Sequence, residues 1–390
     1  MVAWTREYWA EQAVEKSLRM WNLGLQPAVK QPVPRDIRRI LICAYLGLGN
    51  FLMYTPTLRA LREHFADAQI DLQVGNNTGC EAVLEGTDYF HRVYDVCARA
   101  SWKRWRRHIQ EVRQNRYDLI INEFHSNSQH LATMVSLSGA PYRLGHVRSP
   151  GWPDRYGFIY NLPVTMREDQ HEIDRYFALA RALSIPEDRL IPKTFIHLRK
   201  EDHLWANRFL TQVGVRQGTP VVGIQMGTSA NMRWKQWAPE KFRLLCERLL
   251  HEHPEAVLLL LGSPNEALMI QDAMRGLTER VILAVGETTV KQVAALVKEC
   301  AMLICNDSGL MHMAIAVDTP VVAIYGPTDY RRTAPLDAMH TVVRKDLPCS
   351  PCFRMEGPFI VQACPHHNCL TTMDVDDVYC QIEKTLQRVR

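Results

Sequence analysis

The stretch CNDSGLMHMAIAVDTPVVAIYGPTD, residues 305–329, decides the fold of this chain. An apolar strand pattern runs into Asn306, a helical pattern opens at Ser308, and a second apolar strand pattern follows it. A strand, a short loop, a helix and a further strand form a parallel βαβ unit. The first turn of such a helix offers unsatisfied backbone N–H groups and a positive dipole end, so this loop predicts an anion site.

Three residues of this loop suit an anionic ligand. Gly309 lets a phosphate approach the backbone closely, Ser308 adds a hydroxyl donor, and His312 lies one turn further along the helix. A purely structural role is the alternative, in which Asp307 caps the helix and His312 is a core histidine.

A second loop of the same kind is MGTSANMRWKQWAPEKF, residues 226–242. It also follows an apolar strand pattern, and it supplies the hydroxyls of Thr228 and Ser229 and the cation of Lys235 before a helix that begins near Pro239. A lysine here would neutralise a diphosphate leaving group whose negative charge grows as its bond to a sugar breaks. An exposed lysine beside two packing tryptophans is the alternative.

Strands and helices alternate on both sides of a stretch rich in proline and charge, residues 184–192, which predicts a domain boundary. Strand patterns fall at residues 40–46, 70–74, 118–122, 221–226, 256–261, 281–285, 302–306 and 321–325. The predicted domains are an amphipathic helical extension (1–36), a Rossmann-like domain (37–192) and a second Rossmann-like domain (193–390) that includes the cysteine-rich segment 348–370 and a C-terminal helix.

Composition narrows the class of protein. With 390 residues, 47% of them hydrophobic, the chain can fill two packed α/β domains, and a net charge of +4 argues against bulk nucleic-acid binding. No apolar run approaches the roughly 20 residues that span a bilayer. The first residues mix acids and bases without the apolar core of a secretory signal. We therefore expect a cytoplasmic protein, with peripheral contact with the inner membrane left open for the amphipathic extension.

The two loops, together with GLGNFLMYTPTLRALRE at 47–63, SGAPYRLG at 138–145 and YGPTD at 325–329, resemble glycosyltransferase family 9, the ADP-heptose heptosyltransferases of bacterial lipopolysaccharide synthesis. The resemblance implies a B-type glycosyltransferase fold, in which two Rossmann-like, doubly wound α/β domains face each other across a cleft. It also implies an inverting mechanism without a catalytic metal. The implied donor contacts are Thr228, Ser229, Lys235, Ser308, Gly309, Leu310 and His312, with Asp307 supporting the loop or the sugar.

By this resemblance, the chain is expected to move a heptose or a related sugar from an ADP-sugar to an acceptor hydroxyl. The resemblance does not decide whether the acceptor is a lipid-linked lipopolysaccharide core, a protein or a small glycan. It also does not decide whether the chain forms a homo-oligomer. A nicotinamide-dependent oxidoreductase is excluded, because Phe51 and Leu52 interrupt the G-x-G-x-x-G pattern after GLGN.

The sequence departs from the family at Asn50, where the family has an aspartate taken as the general base. An amide does not accept a proton at neutral pH, and losing a base costs roughly 10² to 10⁴ in rate. Either Asn50 only positions the acceptor, or another residue takes the proton, or the chain is a catalytically weak ADP-sugar-binding or assembly protein. Glu123 and His125, after the third strand, are the nearest substitutes, with solvated loop residues as the alternative.

Four cysteines follow one another within a short, proline-rich segment: Cys349, Cys352, Cys364 and Cys369. Their spacing fits a tetrahedral thiolate site in a cytoplasmic protein, where disulfides are reduced. We therefore expect a structural Zn or Fe ion, with metal-free thiols as the alternative.

A basic stretch, SWKRWRRHIQEVRQNR at 101–116, has six Lys or Arg residues against one acid. A solvated basic helix face is one interpretation, and a surface for an anionic acceptor or an anionic leaflet is the other.

Overall fold

The computed structural model describes residues 13–20, 33–34, 36–75, 79–96, 100–123, 129–148, 156–167, 169–277, 279–286, 288–356, 359–362 and 364–389. The chain separates into two compact units, Met1–Lys193 and Thr194–Arg390. Helix α1 covers residues 13–20 within the predicted N-terminal extension. No helix among the described residues has the length and apolar character needed to cross a bilayer.

The first unit is built on a six-stranded parallel sheet in the order β3-β2-β1-β4-β5-β6. Its strands are β1 (Arg39–Cys43), β2 (Gln69–Val74), β3 (Arg92–Asp95), β4 (Leu119–Asn122), β5 (Tyr142–Val147) and β6 (Leu162–Thr165). Its further helices are α2 (Leu48–His64), α3 (Trp102–Gln114), α4 (Gln129–Leu137) and α5 (Glu172–Ala182). The central strands are apolar and buried, and each fully buried Leu or Ile side chain contributes about 1.5–3 kcal/mol.

The second unit repeats this architecture with a parallel sheet in the order β12-β11-β10-β7-β8-β9. Its strands are β7 (Val221–Gln225), β8 (Val257–Gly262), β9 (Val281–Val285), β10 (Met302–Asn306), β11 (Val321–Ile324) and β12 (Thr341–Val343). The strand order reverses between β7 and β10, and such a switch point, at the carboxyl ends of the strands, is where doubly wound sheets bind ligands.

The helices of the second unit cover its sheet, and a short antiparallel hairpin follows it. The helices are α6 (Lys200–Gln212), α7 (Pro239–Glu252), α8 (Ala267–Ala273), α9 (Val290–Lys298), α10 (Gly309–Ala316), α11 (Tyr330–Thr333), α12 (Asn368–Thr371) and α13 (Val375–Val389). The hairpin pairs β13 (Phe353–Glu356) with β14 (Phe359–Gln362). Helix α13 packs on α7 and on β11 and β12, where Val378 and Ile382 are fully buried in the core.

Candidate functional site

The two predicted anion-binding loops meet at the switch point of the second sheet. Asn306, at the end of β10, is fully buried and bridges them through its amide. Its Oδ1 accepts a hydrogen bond from the backbone N–H of Trp237 at 2.9 Å, and its Nδ2 donates to the carbonyl of Met226 at 2.8 Å. Since both polar ends of a buried amide are satisfied, Asn306 fixes the loop after β7 against the loop after β10.

Lys235 and Asp307 form an ion pair across these loops. The Nζ of Lys235 lies 3.0 Å from Oδ2 of Asp307, and the two side chains are 16% and 9% exposed. Burial alone raises the pKa of Asp307, but the charges of Lys235 and His312 outweigh it and hold that pKa below its usual range. Asp307 is therefore a carboxylate at neutral pH that holds the Lys235 cation at the end of the sheet.

The N-terminus of α10 opens at the same place. Ser308 has an extended backbone, and its Oγ donates to Oε1 of Gln225 at 2.9 Å. No side-chain hydrogen bond caps this helix within the part of the chain that the structure describes. Its first-turn N–H groups, at Gly309 and Leu310, therefore lie where an anion would bind, and His312 is buried one turn further in.

The two hydroxyls predicted after β7 differ in their surroundings. Thr228 is buried, and its Oγ1 donates to the carbonyl of Met232 at 3.1 Å. Ser229 is exposed and precedes the short 3₁₀ segment Ala230–Lys235. Thr228 thus shapes the loop, whereas Ser229 presents a hydroxyl to solvent.

Glu266 belongs to this site, although the sequence analysis missed it. A Cβ at Gly227 would lie 1.7 Å from Oε1 of Glu266, so this carboxylate lies directly against the loop after β7. Its Oε2 accepts from the backbone N–H and the Oγ of Ser263, both at 2.6 Å. The signal was present, because Ser-x-x-Glu directly after an apolar strand is a capping box at the carboxyl edge.

The first unit places the candidate acceptor-side residues at the carboxyl edge of its own sheet. Asn50 is exposed in the first turn of α2, and Tyr54, one turn further, is fully buried. Glu123 follows β4 and is also fully buried, so the alternative that it is a solvated loop residue is wrong. His125 lies outside the described residues.

Glu123 is a buried carboxyl with unusual surroundings. Neither of its oxygens has a hydrogen-bond partner with good geometry among the described residues. Burial raises its pKa well above the usual range, and the backbone N–H of Tyr45 offsets only part of this. The hydroxyl of Tyr54 is equally buried and without a partner in the described part of the chain. This edge therefore holds polar groups whose hydrogen bonds are incomplete.

The four predicted metal-ligating cysteines lie near one another. Burial first, and then the negative charges of Cys364 and Cys349, raise the pKa of Cys352. Burial, and then the electrostatic effects of Cys352, Cys349 and Cys364, raise the pKa of Cys369 to about 11. However, no group of three or more His, Cys, Asp or Glu side chains is placed to hold a metal ion in the described ranges.

The basic stretch forms the amphipathic helix α3. Ser101 caps it by accepting from the backbone N–H of Arg104 at 3.4 Å, and the buried face carries Trp105, Ile109 and Val112. The cations lie on the exposed face, which is compatible with both a solvated face and an anion-binding surface.

Two solved structures share this fold. The glycosyl transferase family 9 protein from Veillonella parvula superposes with a TM-score of 0.74 and 20% identity, covering 91% of this chain and 99% of that one. The E. coli ADP-heptose lps heptosyltransferase II superposes with a TM-score of 0.70 and 21% identity, covering 90% and 99%. Two parallel six-stranded sheets with covering helices are thus the B-type glycosyltransferase fold of these structures.

The family follows from the sequence match. The model of glycosyltransferase family 9 (heptosyltransferase) matches residues 105–360, more than half of the chain, and the chain belongs to this family. The lipooligosaccharide heptosyltransferase 2 of Haemophilus ducreyi is 25% identical over 323 residues, which cover 78% of this chain and 88% of that protein. The expected fold class, family and enzyme class are thus confirmed.

Proposed function

We propose that this glycosyltransferase moves a heptose from ADP-heptose to an acceptor hydroxyl of a lipopolysaccharide core, with inversion at the sugar carbon. The observation that carries the proposal is the Lys235–Asp307 pair beside the uncapped N-terminus of α10. The names of two similar proteins support the donor and the acceptor class, an ADP-heptose lps heptosyltransferase and a lipooligosaccharide heptosyltransferase.

The donor site stabilises the leaving group. The diphosphate binds the first-turn N–H groups of α10, with Ser229 as a hydroxyl donor and Lys235 as the cation. The Ser308 hydroxyl becomes a second donor when it exchanges its bond to Gln225 for one to the phosphate. As the bond between the sugar carbon and the phosphate oxygen breaks, negative charge grows on ADP, and Lys235 is already oriented toward it by Asp307. Glu266 suits a different part of the donor, since a carboxylate at this edge accepts hydrogen bonds from hydroxyl groups.

The acceptor side lacks an exposed carboxylate at Asn50. We propose that the Asn50 amide orients the acceptor oxygen as it attacks the sugar carbon, and that Glu123 receives the hydroxyl proton. Glu123 is a carboxyl at this edge whose oxygens have no hydrogen bond of good geometry in the described residues. Because burial raises its pKa, Glu123 must lose its own proton before it can act, and the ionised carboxylate is then a stronger base than an exposed one. A catalytically weak binding protein is not favoured, because the matched relatives are named transferases.

The exposed cations of α3 favour an anionic acceptor. A phosphorylated core oligosaccharide or an anionic leaflet would be attracted to this face, which supports a cytoplasmic enzyme at the inner surface of the membrane. Flotation with vesicles should therefore retain more protein with anionic lipid than with neutral lipid.

A donor screen tests the function. Purified protein is incubated with core oligosaccharide and, separately, with ADP-heptose, UDP-glucose or GDP-mannose, and products are read by mass spectrometry. Only ADP-heptose should add a sugar, and only ADP-heptose should raise the melting temperature, since a ligand at 100 times its dissociation constant adds about 2.7 kcal/mol. Stabilisation by ADP-heptose without any product would support the alternative that the chain is a catalytically weak binding protein. Sugar transfer from UDP-glucose would refute the proposal that ADP-heptose is the donor.

We also propose a structural Zn or Fe ion on Cys349, Cys352, Cys364 and Cys369, supported by their spacing and by their mutual effect on thiol pKa. Elemental analysis should find close to one ion per chain, and Cys352→Ser should lose it. The buried Cys246→Ser is the control and should keep it. Metal-free wild-type protein of normal stability would refute this proposal.

A further inference from the structure

Four aromatic rings form a ladder at the carboxyl edge of the first sheet. The ring centroids of Trp102 and His130 are 4.4 Å apart, those of His130 and Trp105 5.4 Å, and those of Trp105 and Tyr45 6.5 Å. Trp102 begins α3 after β3, His130 lies in the first turn of α4 after β4, and Tyr45 is the second residue after β1. The ladder therefore ends in the loop that leads to Asn50.

The inner end of the ladder is fixed by the core. Trp105 is fully buried, and the Tyr45 hydroxyl accepts a hydrogen bond from Nε2 of Gln73. Oε1 of Gln73 in turn lies 3.0 Å from Nε2 of His108. The Tyr45 ring also lies over Gly75, where a Cβ would approach its Cε1 to 2.5 Å. These contacts leave the inner rings little freedom to move.

The outer end of the ladder is open to solvent. Trp102 is 47% exposed, although it is a large aromatic side chain. Burial lowers the pKa of His130, so its ring is neutral at neutral pH and supports Trp102 as an uncharged aromatic surface. Lys103, Arg106 and Arg107 are exposed on the same helix. A flat, supported indole beside several cations combines an apolar face with anion-binding groups.

This combination matches a phosphorylated sugar. The C–H groups on one face of a pyranose ring are apolar and slightly positive, and they pack on the negative face of an indole. Phosphate groups on the same glycan pair with lysine and arginine. A solvated basic helix face needs the cations but does not need the exposed tryptophan.

We propose that Trp102 is the stacking platform for a sugar ring of the acceptor, held in place by His130 and Trp105. The inference rests on the proposed function, in which the acceptor is a phosphorylated glycan, and it adds the residue that holds the face of the sugar. The ladder leads inward from Trp102 to Tyr45 in the loop before Asn50, so the platform and Asn50 lie at the same edge of the first sheet.

The test compares Trp102→Ala and Trp102→Phe with the wild type. The matched control is Trp205→Ala, which removes an indole that stacks on Phe209 in the second unit. The probe is phosphorylated core oligosaccharide, with its phosphatase-treated form as a second arm. The dissociation constant is measured by calorimetry, and the acceptor KM, the donor KM and kcat are measured by turnover.

We expect Trp102→Ala to raise the acceptor KM and dissociation constant about tenfold, as stacking of this kind allows, with Trp102→Phe between it and the wild type. The donor KM and kcat should change less than twofold. If Trp102 were only a structural residue, its loss would change these constants together with the acceptor KM. The loss should persist on the dephosphorylated probe. The proposal that Trp102 is a stacking platform would be overturned if wild type and Trp102→Ala bound the oligosaccharide with equal affinity. It would also be overturned if Trp102→Ala lost affinity for the phosphorylated probe only. If the wild-type protein binds the oligosaccharide normally but transfers no sugar to it, the proposed function is refuted and the platform is not.

Discussion

The carboxyl edges of the two sheets hold opposite kinds of polar site. In the second unit two buried polar side chains of this edge are paired, since Asn306 bonds two backbone groups and Asp307 pairs with Lys235. In the first unit the carboxyl of Glu123 and the hydroxyl of Tyr54 are buried without a hydrogen bond of good geometry in the described residues, and the backbone N–H of Tyr45 offsets only part of the burial of Glu123. An unsatisfied buried polar group costs about 1–3 kcal/mol. Asn306, Asp307 and Lys235 are thus paired before any ligand binds, whereas the polar groups of the first edge are completed only by a ligand, a water or a proton.

This difference matches the two tasks of a glycosyltransferase. Leaving-group stabilisation works best with charges fixed in advance, because no reorganisation is then needed as the bond breaks. Proton removal needs a group whose protonation state can change, and a carboxyl without strong partners changes its state more readily than a paired one. The polar groups of the two edges can be tested separately.

The largest effect is expected at the paired edge. Lys235→Ala removes the cation and leaves Asp307 as a buried carboxylate near the diphosphate, so kcat/KM should fall by about 10² to 10³. Lys235→Arg keeps the charge and should retain part of the activity and of the donor affinity. The measurements are steady-state kinetics and titration with ADP. If the alanine variant keeps the donor affinity and the rate of the wild type, Lys235 does not contribute to the donor site.

A smaller effect is expected at the unpaired edge. If Glu123 receives the proton, Glu123→Gln should lower kcat by about 10²-fold with the donor KM unchanged, because a general base is lost. Asn50→Asp should then change kcat by less than about threefold. The opposite pattern, a gain of about tenfold in Asn50→Asp and wild-type kcat in Glu123→Gln, would show that the missing carboxylate at position 50 limits the rate. Weakened ADP binding in Asn50→Asp would place this loop against the phosphates.

The architecture was predictable because most central strands are continuous apolar runs. The predicted strands at 281–285 and 302–306 coincide with β9 and β10. Three strands of the first sheet were missed for identifiable reasons. β3 is mostly exposed, β6 contains Pro163, and β5 buries Arg143 and His146 instead of apolar side chains.

These exceptions are stabilised by contacts that sequence does not show. Arg143 donates from Nε to the carbonyl of Ile159 at 2.8 Å and from Nη1 to that of Ala140 at 2.9 Å. Burial lowers the pKa of His146 to about 4, so it is a neutral core residue that donates from one ring nitrogen to one of the two backbone carbonyls beside its ring. A hydrophobic pattern cannot anticipate polar residues that are satisfied by distant backbone groups.

The candidate site was predictable in its parts but not in its assembly. The loops with Lys235 and Asp307 follow apolar strands, yet these residues are 72 positions apart, and their ion pair exists only because β7 and β10 are neighbours in the sheet. Glu266 was missed because a capping box has a sufficient local explanation. Glu123 was predicted as a substitute for the missing base, but nothing in its local sequence indicates complete burial.

The smallest effect concerns stability and tests whether Glu123 is unpaired, whatever its catalytic role. Burial raises its pKa in the folded protein above the value of about 4.3 expected for the unfolded chain. Between these two values the folded state holds a proton that the unfolded state has lost, so stability falls as pH rises, by about 1.4 kcal/mol for each unit of separation. Glu123→Gln cannot ionise and should escape this fall. Its melting temperature relative to the wild type should therefore increase from pH 5 to pH 8, whereas the exposed Glu81→Gln should show a constant difference. Parallel curves for Glu123→Gln and the wild type would mean that Glu123 has a partner in the folded chain, and the contrast between the two edges would be lost.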